Sequence, residues 1–216
     1  MDFAKARYLM VENQLRCVKV YEESLLDAFE SLPRERFVPK ALQGIAYADE
    51  AVPLGGGRYL MEAMILGRLL QAAHVTKDDA ALVIGCGTGY GAAVLARIAS
   101  AVVALEQDPD LAAAATQTLL DLGCDSTAVI EGSLVEGCPK QAPYDLILID
   151  GSIDNLPDGL CKQLADGGRL VYVINEGGIG RARLTQRIGA TFTTRDLFDA
   201  GTPALPGFER APAFAF

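Results

Sequence analysis

The sequence predicts an α/β protein built on a Rossmann-like, doubly wound parallel sheet. Short apolar runs alternate with segments of helical pattern between residues 80 and 174, as is typical of parallel strands covered on both faces. A glycine-rich turn, Gly85-Cys86-Gly87-Thr88-Gly89, follows the first run, and Glu106 follows the second. Ligands of such sheets bind outside the carboxyl ends of the strands, so the turn and Glu106 mark an expected crevice.

The first unit, residues 80–106, reads as strand, turn, helix and second strand. Residues 80–84 and 101–105 are the two apolar strands, and a helix is expected from Tyr90 to residue 99 between them. Glycines accept positive φ and lack a Cβ, so backbone N–H groups of the turn can approach a ligand closely. The carboxylate of Glu106, about 20 residues after the first glycine, is suitably placed to accept hydrogen bonds from both hydroxyls of a ribose.

The glycine spacing favours S-adenosylmethionine over a dinucleotide as the ligand. Nicotinamide-binding turns follow Gly-x-Gly-x-x-Gly, and their third glycine would fall at Tyr90. This chain instead has Gly-x-Gly-x-Gly, without pyrophosphate-binding spacing behind it. An ordinary βαβ turn without a ligand is the alternative, which Glu106 at the second strand tip makes less favourable.

The segment before this unit is expected to be mainly helical. Residues 1–32 carry an approximate apolar stripe, whereas residues 33–39 are bracketed by prolines and cannot continue a helix. Residues 46–59 are loop-like and contain Gly55-Gly56-Gly57, which indicates either a backbone held close to another group or simple flexibility. Residues 61–73 predict a helix that packs its apolar side chains in the core.

The alternation continues after Glu106 and ends with a late strand pair, which suits the seven-stranded methyltransferase variant of this fold. We expect one domain, residues 1–216, in which residues 1–58 form a helical N-terminal arm and a substrate-side loop and residues 59–216 form the Rossmann-like core. The expected later elements are helices over residues 109–122, 156–164 and 182–188, and strands over residues 127–130, 144–149, 169–174, 192–198 and 213–216.

Composition excludes several functional classes. The net charge of −9 argues against nucleic acid as a partner, because phosphate-backbone binding needs clustered Lys and Arg. Five scattered cysteines without a Cys-x-x-Cys pair, and a single histidine, His74, make a metal site or a serine–histidine triad improbable. The chain has no apolar run of membrane-spanning length and no signal-peptide pattern at its start, so we expect a cytoplasmic protein without a membrane partner.

Four loops are expected to converge on the crevice, because each follows the carboxyl end of a strand. They are the glycine turn, the tip at Glu106, the loop after the third strand and the loop that begins at Asp150. The predicted cofactor-binding residues are Gly85, Cys86, Gly87, Gly89, Tyr90, Glu106, Gln107, Ser133, Leu134 and Asp150.

Several motifs together resemble the protein-L-isoaspartate O-methyltransferases. They occur in the family's order and are Met10-Val11-Glu12-Asn13-Gln14-Leu15, residues 33–39, Ala46-Tyr47-Ala48-Asp49, Pro53-Leu54-Gly55, residues 84–96 and Ala142-Pro143-Tyr144-Asp145. The resemblance, which runs from about residue 10 to about residue 174, implies an S-adenosylmethionine-dependent enzyme that methylates isoaspartyl residues of damaged proteins. It further implies that Leu54, Gly55, Gly57 and Tyr59 contact the isoaspartyl substrate.

The chain departs from this pattern where the family carries a serine in a Thr-Ile-Ser-x-Pro-like motif. An ungapped alignment from Pro53 puts Met61 at that serine, so the catalytic residue is unassigned, and Glu62 beside it would repel a carboxylate if it pointed inward. The acidic residue usual before the glycine turn corresponds to Val83, and the aspartate usual after the third strand corresponds to Ser133. Two alternatives therefore stay open: a methyltransferase with another acceptor, or a non-catalytic binding protein that keeps the fold.

Overall fold

The computed structural model describes residues 1–210, and its strands form a two-stranded hairpin and a seven-stranded mixed sheet. The hairpin consists of β1 (Val52–Gly55) and β2 (Arg58–Leu60). The strands of the sheet are β3 (Ala80–Ile84), β4 (Ala101–Glu106), β5 (Thr127–Glu131), β6 (Tyr144–Ile153), β7 (Leu164–Glu176), β8 (Ile179–Ile188) and β9 (Thr191–Asp199). Their order is β5-β4-β3-β6-β7-β8-β9, and β3 to β7 pair in parallel whereas β8 and β9 are antiparallel. The predicted fold class is confirmed.

The α-helices precede, connect or follow these strands. They are α1 (Phe3–Met10), α2 (Glu23–Ser31), α3 (Ala63–Ala73), α4 (Tyr90–Ala96), α5 (Pro109–Asp121) and α6 (Asp158–Cys161). The start of α5 is fixed by Asp108, whose side chain accepts hydrogen bonds from the N–H groups of Asp110 and Leu111, and by proline in the first turn. Gly123, at φ 64°, follows its end, as the sequence predicts.

Alternate residues of the strands pack into two separate cores, one on each face of the sheet. In β3, Ala81 and Val83 belong to the core that includes side chains of α2 to α5, whereas Leu82 and Ile84 belong to the opposite core. That second core also contains Leu205, from the chain after β9. Burial on both faces explains why β3 reads as a continuous apolar run.

Three predicted elements differ from the structure. Residues 182–188 form part of β8 rather than a helix, because buried Ala182 and Leu184 alternate with less buried arginines in a strand period. The helix expected over residues 156–164 is only the short α6. The helix expected over residues 1–32 is divided at Lys19, whose φ of 66° is left-handed, into two helical stretches. The strand predicted over residues 213–216 lies outside the described residues.

The segment expected to be a loop, residues 46–59, contains the β1–β2 hairpin. Its three glycines, Gly55, Gly56 and Gly57, have φ of 101°, 57° and 75°, a region that favours glycine over residues with a side chain. A Cβ added at Gly55 or Gly57 would meet no atom within 4 Å. The triplet is therefore explained by the backbone geometry of the turn rather than by close approach of another group.

The remaining expectations concern membranes, thiols and metals. Over residues 1–210, none of the helices has the length and apolar character needed to cross a bilayer. All five cysteines have free thiols, and only Cys17 is exposed. Within the same residues, no cluster of three or more His, Cys, Asp or Glu side chains could hold a metal ion. His74 is exposed and ends α3 in a left-handed conformation.

Candidate active site

The glycine turn connects β3 to α4 through three residues of positive φ. Gly85, Gly87 and Gly89 have φ of 75°, 55° and 96°, so a side chain at any of these positions would strain the backbone. The N–H of Gly85 donates to the carbonyl of Leu105 at 2.9 Å, and the hydroxyl of Thr88 donates to the carbonyl of Phe37 at 2.5 Å. These bonds fix the turn against β4 and against the N-terminal segment.

Glu106 ends β4 beside this turn, and its carboxylate is completely buried. One carboxylate oxygen accepts a hydrogen bond from the N–H of Gly87 at 2.7 Å. The other accepts from the N–H groups of Gln107 and Asp108, at 2.9 and 3.1 Å. Three backbone donors thus orient the carboxylate where the sequence predicts a ribose-binding acid.

Arg58, the first residue of β2, supplies a fourth donor to this carboxylate. Its Nη1 lies 2.5 Å from Oε1 of Glu106, and its Nη2 donates to the carbonyl of Gly85 at 2.8 Å. The side chain of Arg58 is 4% exposed and that of Glu106 is 0% exposed. The two side chains therefore form a buried ion pair across the crevice, which the sequence analysis did not predict.

Two leucines cover the glycine turn beside Arg58. A Cβ added at Gly85 would lie 2.6 Å from Cδ1 of Leu205 and 3.1 Å from Nη2 of Arg58. A Cβ added at Gly87 would lie 2.9 Å from Cδ1 of Leu54. Side chains from three separate segments of the chain therefore lie directly on the turn.

Leu205 belongs to residues 202–208, which we name the C-terminal strap. The N–H of Ser152 donates to the carbonyl of Pro203 at 2.9 Å, and the N–H of Leu205 donates to the carbonyl of Ser152 at 2.7 Å. The hydroxyl of Thr202 donates to the carboxylate of Glu62 at 2.9 Å. The strap is thus bound both to β6 and to the residue that follows Met61.

Asp150, in β6, is the second acid of the crevice. It is 8% exposed, and within residues 1–210 its Oδ1 has no hydrogen-bond partner. Burial raises the pKa of this carboxyl to about 7, although the nearby Arg58 and Arg34 act in the opposite direction. Asp150 lines a cavity of about 10 Å³ with Arg58, Met61 and Leu205, which is roughly the space of one water molecule.

Some of the predicted site residues meet in the crevice, and others pack elsewhere in the structure. The crevice brings together Gly85, Gly87, Glu106 and Asp150, together with Leu54 of the predicted substrate segment. Cys86 is buried in the turn, and its burial raises the pKa of the thiol. Gly89 is in contact distance of α5 rather than of the crevice residues.

Two predicted residues, Tyr90 and Leu134, lie apart from these contacts. Tyr90 is buried in the N-terminal core, where its ring centroid is 5.1 Å from that of Phe37 and Arg34 lies over its ring. Leu134 is buried in the opposite core. Two exposed predicted residues reach the crevice: Gln107 donates its N–H to Glu106, and Tyr59 lines the cavity beside Asp150. The other exposed residues are Ser133, Gly55 and Gly57, and the roles assigned to all of these residues stay predictions.

In this arrangement the chain's own side chains fill the crevice, and S-adenosylmethionine would bind there only after they move. Oε1 of Glu106 accepts hydrogen bonds from Arg58 and from two backbone N–H groups, and Oε2 accepts one from the N–H of Gly87. Only Oε2 therefore keeps a lone pair, whereas a ribose needs acceptors for two hydroxyls. Leu205 and Leu54 take the space over the glycines. The backbone features that the sequence predicts are in place, and the chain's own side chains occupy the space beside them.

Comparisons with known proteins place the chain among carboxyl methyltransferases. The model of the family described as "Protein-L-isoaspartate(D-aspartate) O-methyltransferase (PCMT)" matches residues 6–198. The protein-L-isoaspartate O-methyltransferase of Koribacter versatilis is 39% identical over 172 residues, which cover 80% of this chain and 78% of that relative. The one from Methylorubrum extorquens is 39% identical over 196 residues, which cover 90% of this chain and 86% of that relative.

Solved structures confirm the fold. A protein-L-isoaspartate O-methyltransferase matches with a TM-score of 0.79 and 23% identity, over 94% of this chain and 65% of that chain. A putative protein-L-isoaspartate O-methyltransferase from Plasmodium falciparum, solved in complex with S-adenosyl-L-homocysteine, matches with a TM-score of 0.79 and 19% identity, over 92% of this chain and 97% of that chain.

The family match includes the hairpin, the glycine turn, Glu106 and Asp150, and it ends at residue 198, before the C-terminal strap. Together with relatives at 39% identity over most of the chain, it confirms the family and the enzyme class that the sequence motifs predict. This chain belongs to the protein-L-isoaspartate O-methyltransferase family.

Proposed function

We propose that this chain is an S-adenosylmethionine-dependent carboxyl O-methyltransferase that methylates isoaspartyl residues of damaged proteins. The observation that carries the proposal is the Glu106 carboxylate, held beside the glycine turn by three backbone N–H groups. These donors orient it independently of Arg58, as a ribose-binding acid requires. A cytoplasmic location belongs to the proposal and is supported by the five free thiols, which are typical of a reducing compartment.

The acceptor chemistry needs little from the chain's own acids and bases. An isoaspartyl carboxylate is already ionised at neutral pH, so it needs no general base. The chain has to align this carboxylate and keep water away from it. The β1–β2 hairpin is the proposed acceptor side, because Leu54 at its tip touches Gly87 of the turn.

Two residues of the hairpin region are expected to weaken acceptor binding. Met61 is 3% exposed, and its side chain brings no hydroxyl to the family's serine position. Glu62, next to it, accepts a hydrogen bond from Thr202 of the C-terminal strap. An anionic acceptor therefore meets a carboxylate instead of a donor at this position, so activity is expected to be low.

A peptide pair tests the proposal directly. The protein is incubated with methyl-labelled S-adenosylmethionine and with an isoaspartyl peptide or its aspartyl counterpart. Base-labile label is expected on the isoaspartyl peptide alone. Label on neither peptide, from a protein that binds S-adenosylhomocysteine, would instead support another acceptor.

Replacement of Met61 by serine is expected to raise isoaspartyl methylation. One hydrogen bond to a charged group contributes about 1.5–3 kcal/mol, which corresponds to roughly a ten- to hundredfold increase in kcat/KM. Met61→Ala is the matched control, because it removes the thioether without adding a hydroxyl. Equal rates for the serine and alanine variants, both folded by circular dichroism, would contradict the role assigned to this position.

A second candidate is a non-catalytic binding protein that keeps the fold. The observation that favours it is the crevice itself, which Arg58, Leu54 and Leu205 fill. Calorimetric titration with S-adenosylhomocysteine separates the two candidates. Binding heat accompanied by a rise in melting temperature is expected for the enzyme, whereas neither signal at millimolar ligand would favour the binding protein.

A further inference from the structure

We propose that Arg58 is a built-in competitor of the methyl donor: its guanidinium holds the carboxylate that the donor's ribose would use. This inference rests on the proposed function, because it assumes that the Glu106 crevice is the donor site. The donor would then have to displace Arg58 before its ribose hydroxyls could reach Glu106. Arg58 would therefore set the affinity of the enzyme for its donor.

Arg58 donates hydrogen bonds to both sides of the crevice at once. Its Nη1 binds the carboxylate of Glu106 and its Nη2 binds the carbonyl of Gly85, at 2.5 and 2.8 Å. The guanidinium thus donates hydrogen bonds to Glu106, which ends β4, and to the glycine turn that follows β3. These are the two strand ends where a nucleoside binds in this kind of sheet.

Glu106 does not depend on Arg58 for its position. The N–H groups of Gly87, Gln107 and Asp108 bind the carboxylate at 2.7, 2.9 and 3.1 Å. If Arg58 leaves, these three bonds remain, and the space that its guanidinium fills beside the carboxylate becomes free. The acceptor geometry for a ribose is therefore built into the backbone, and Arg58 is an addition to it.

Arg58 lies at the end of β2 that adjoins the glycine triplet. It follows the Gly55-Gly56-Gly57 turn directly, and the pairing of β1 with β2 shifts register between Pro53 and Gly55. In β2, Arg58 and Leu60 point inward while Tyr59 between them is 41% exposed. A change of the Arg58 rotamer toward solvent would leave the strand pairs at Tyr59 and Leu60 intact.

The C-terminal strap also covers the glycine turn, through the side chain of Leu205. Leu205 covers both Gly85 and Gly151, where an added Cβ would lie 2.6 and 3.1 Å from its atoms. Leu205 is 3% exposed, and the strap lies beyond residue 198, where the family match ends. Displacement of Arg58 and displacement of Leu205 are therefore separate steps that separate substitutions can test.

A competitor inside the site lowers the apparent affinity by the fraction of molecules in which the site is free. Removal of the guanidinium should therefore tighten donor binding without any new contact to the ligand. Arg58→Ala is expected to bind S-adenosylhomocysteine at least tenfold more tightly than the unaltered protein. Arg58→Lys keeps a cation beside Glu106 and is expected to stay near the unaltered affinity.

The experiment is calorimetric titration of S-adenosylhomocysteine into the full-length protein and its variants. Leu205→Ala is included because it frees space without touching the ion pair, and a gain in affinity is expected there too. Arg181→Gln is the control for loss of an arginine, since Arg181 binds Asp196 and Asp199 on the exposed β8–β9 edge. Its affinity should equal that of the unaltered protein.

A folded Arg58→Ala protein that binds no more tightly than the unaltered protein would overturn the inference, whatever the affinity of Leu205→Ala. If Arg58→Ala does not fold, the same comparison is made with Arg58→Met, which keeps the apolar length of the side chain without the guanidinium. Tighter binding without methylation of an isoaspartyl peptide would support the inference and count against the proposed acceptor. Isoaspartyl methylation by the unaltered protein, with no gain in affinity in either variant, would support the proposed function and overturn the inference.

Discussion

Replacement of Glu106 by alanine is expected to lower the free energy of unfolding by about 3–5 kcal/mol, the usual cost of removing one partner of a buried ion pair. Arg58 is 4% exposed, and without Glu106 its guanidinium would keep only the carbonyl of Gly85 as an acceptor. The N–H groups of Gly87, Gln107 and Asp108 would lose their acceptor as well. Urea unfolding at neutral pH, followed by far-UV circular dichroism, measures the loss.

The reverse substitution, Arg58→Ala, is expected to cost less. Glu106 would keep three backbone donors, so its buried charge would remain partly compensated. The double variant completes a cycle that isolates the coupling between the two side chains. Asp121→Ala is a control for an ion pair in solvent, since Asp121 and Arg36 are about 40% exposed and such pairs contribute about 0–1 kcal/mol. A Glu106→Ala loss no larger than this control would contradict the buried pair.

The crevice could be predicted from the sequence because its backbone follows from local patterns. Apolar runs identify the strands, and alternation with helices brings their carboxyl ends to one edge. Glu106 and Asp150, which follow such runs, are both found there, although neither residue has a motif of its own. The strand at residues 182–188 is not evident from the sequence, because its buried residues, Ala182, Leu184 and Thr185, do not alternate strictly.

Arg58 could not be identified in the same way. Its partner, Glu106, is 48 residues away, and an arginine after three glycines is typical of an exposed turn. The sequence does contain one indication, the strand period: residues 58 and 60 lie on the same face of β2, and Leu60 marks that face as the inward one. This alternation identifies Arg58 only if residues 58–60 are known to be a strand. The three glycines before them are equally typical of a loop.

The charge of Asp150 depends on its burial, which the sequence does not show. A sequence can place an acid at a strand end, but it does not reveal how much water remains around it. In the structure, burial is the largest influence on this carboxyl and raises its pKa to about 7; Arg58 and Arg34 act against this, and Glu106 and Glu62 reinforce it. Such a carboxyl is protonated in the folded protein at a pH where the unfolded chain has already lost the proton.

Asp150→Asn is therefore expected to stabilise the fold increasingly as the pH rises. The folded-state pKa lies above the ordinary 3.8, so between about pH 4 and 7 the folded protein binds a proton that the unfolded chain does not, and stability falls with rising pH. Asparagine does not titrate and removes this slope. Below pH 7 the difference in unfolding free energy between the variant and the unaltered protein should grow by about 1.4 kcal/mol per pH unit. Between pH 5 and 8 the variant should therefore become more stable than the unaltered protein by about 3 kcal/mol.

Urea unfolding curves at several pH values between 5 and 8 measure this difference. Asp27→Asn, on the exposed side of α2, controls for the loss of one carboxylate from the net charge. A difference between Asp150→Asn and the unaltered protein that does not change with pH would mean that Asp150 is ionised throughout this range in the fold. It would then have to be paired with Arg34 or Arg58 more closely than its unpartnered Oδ1 indicates.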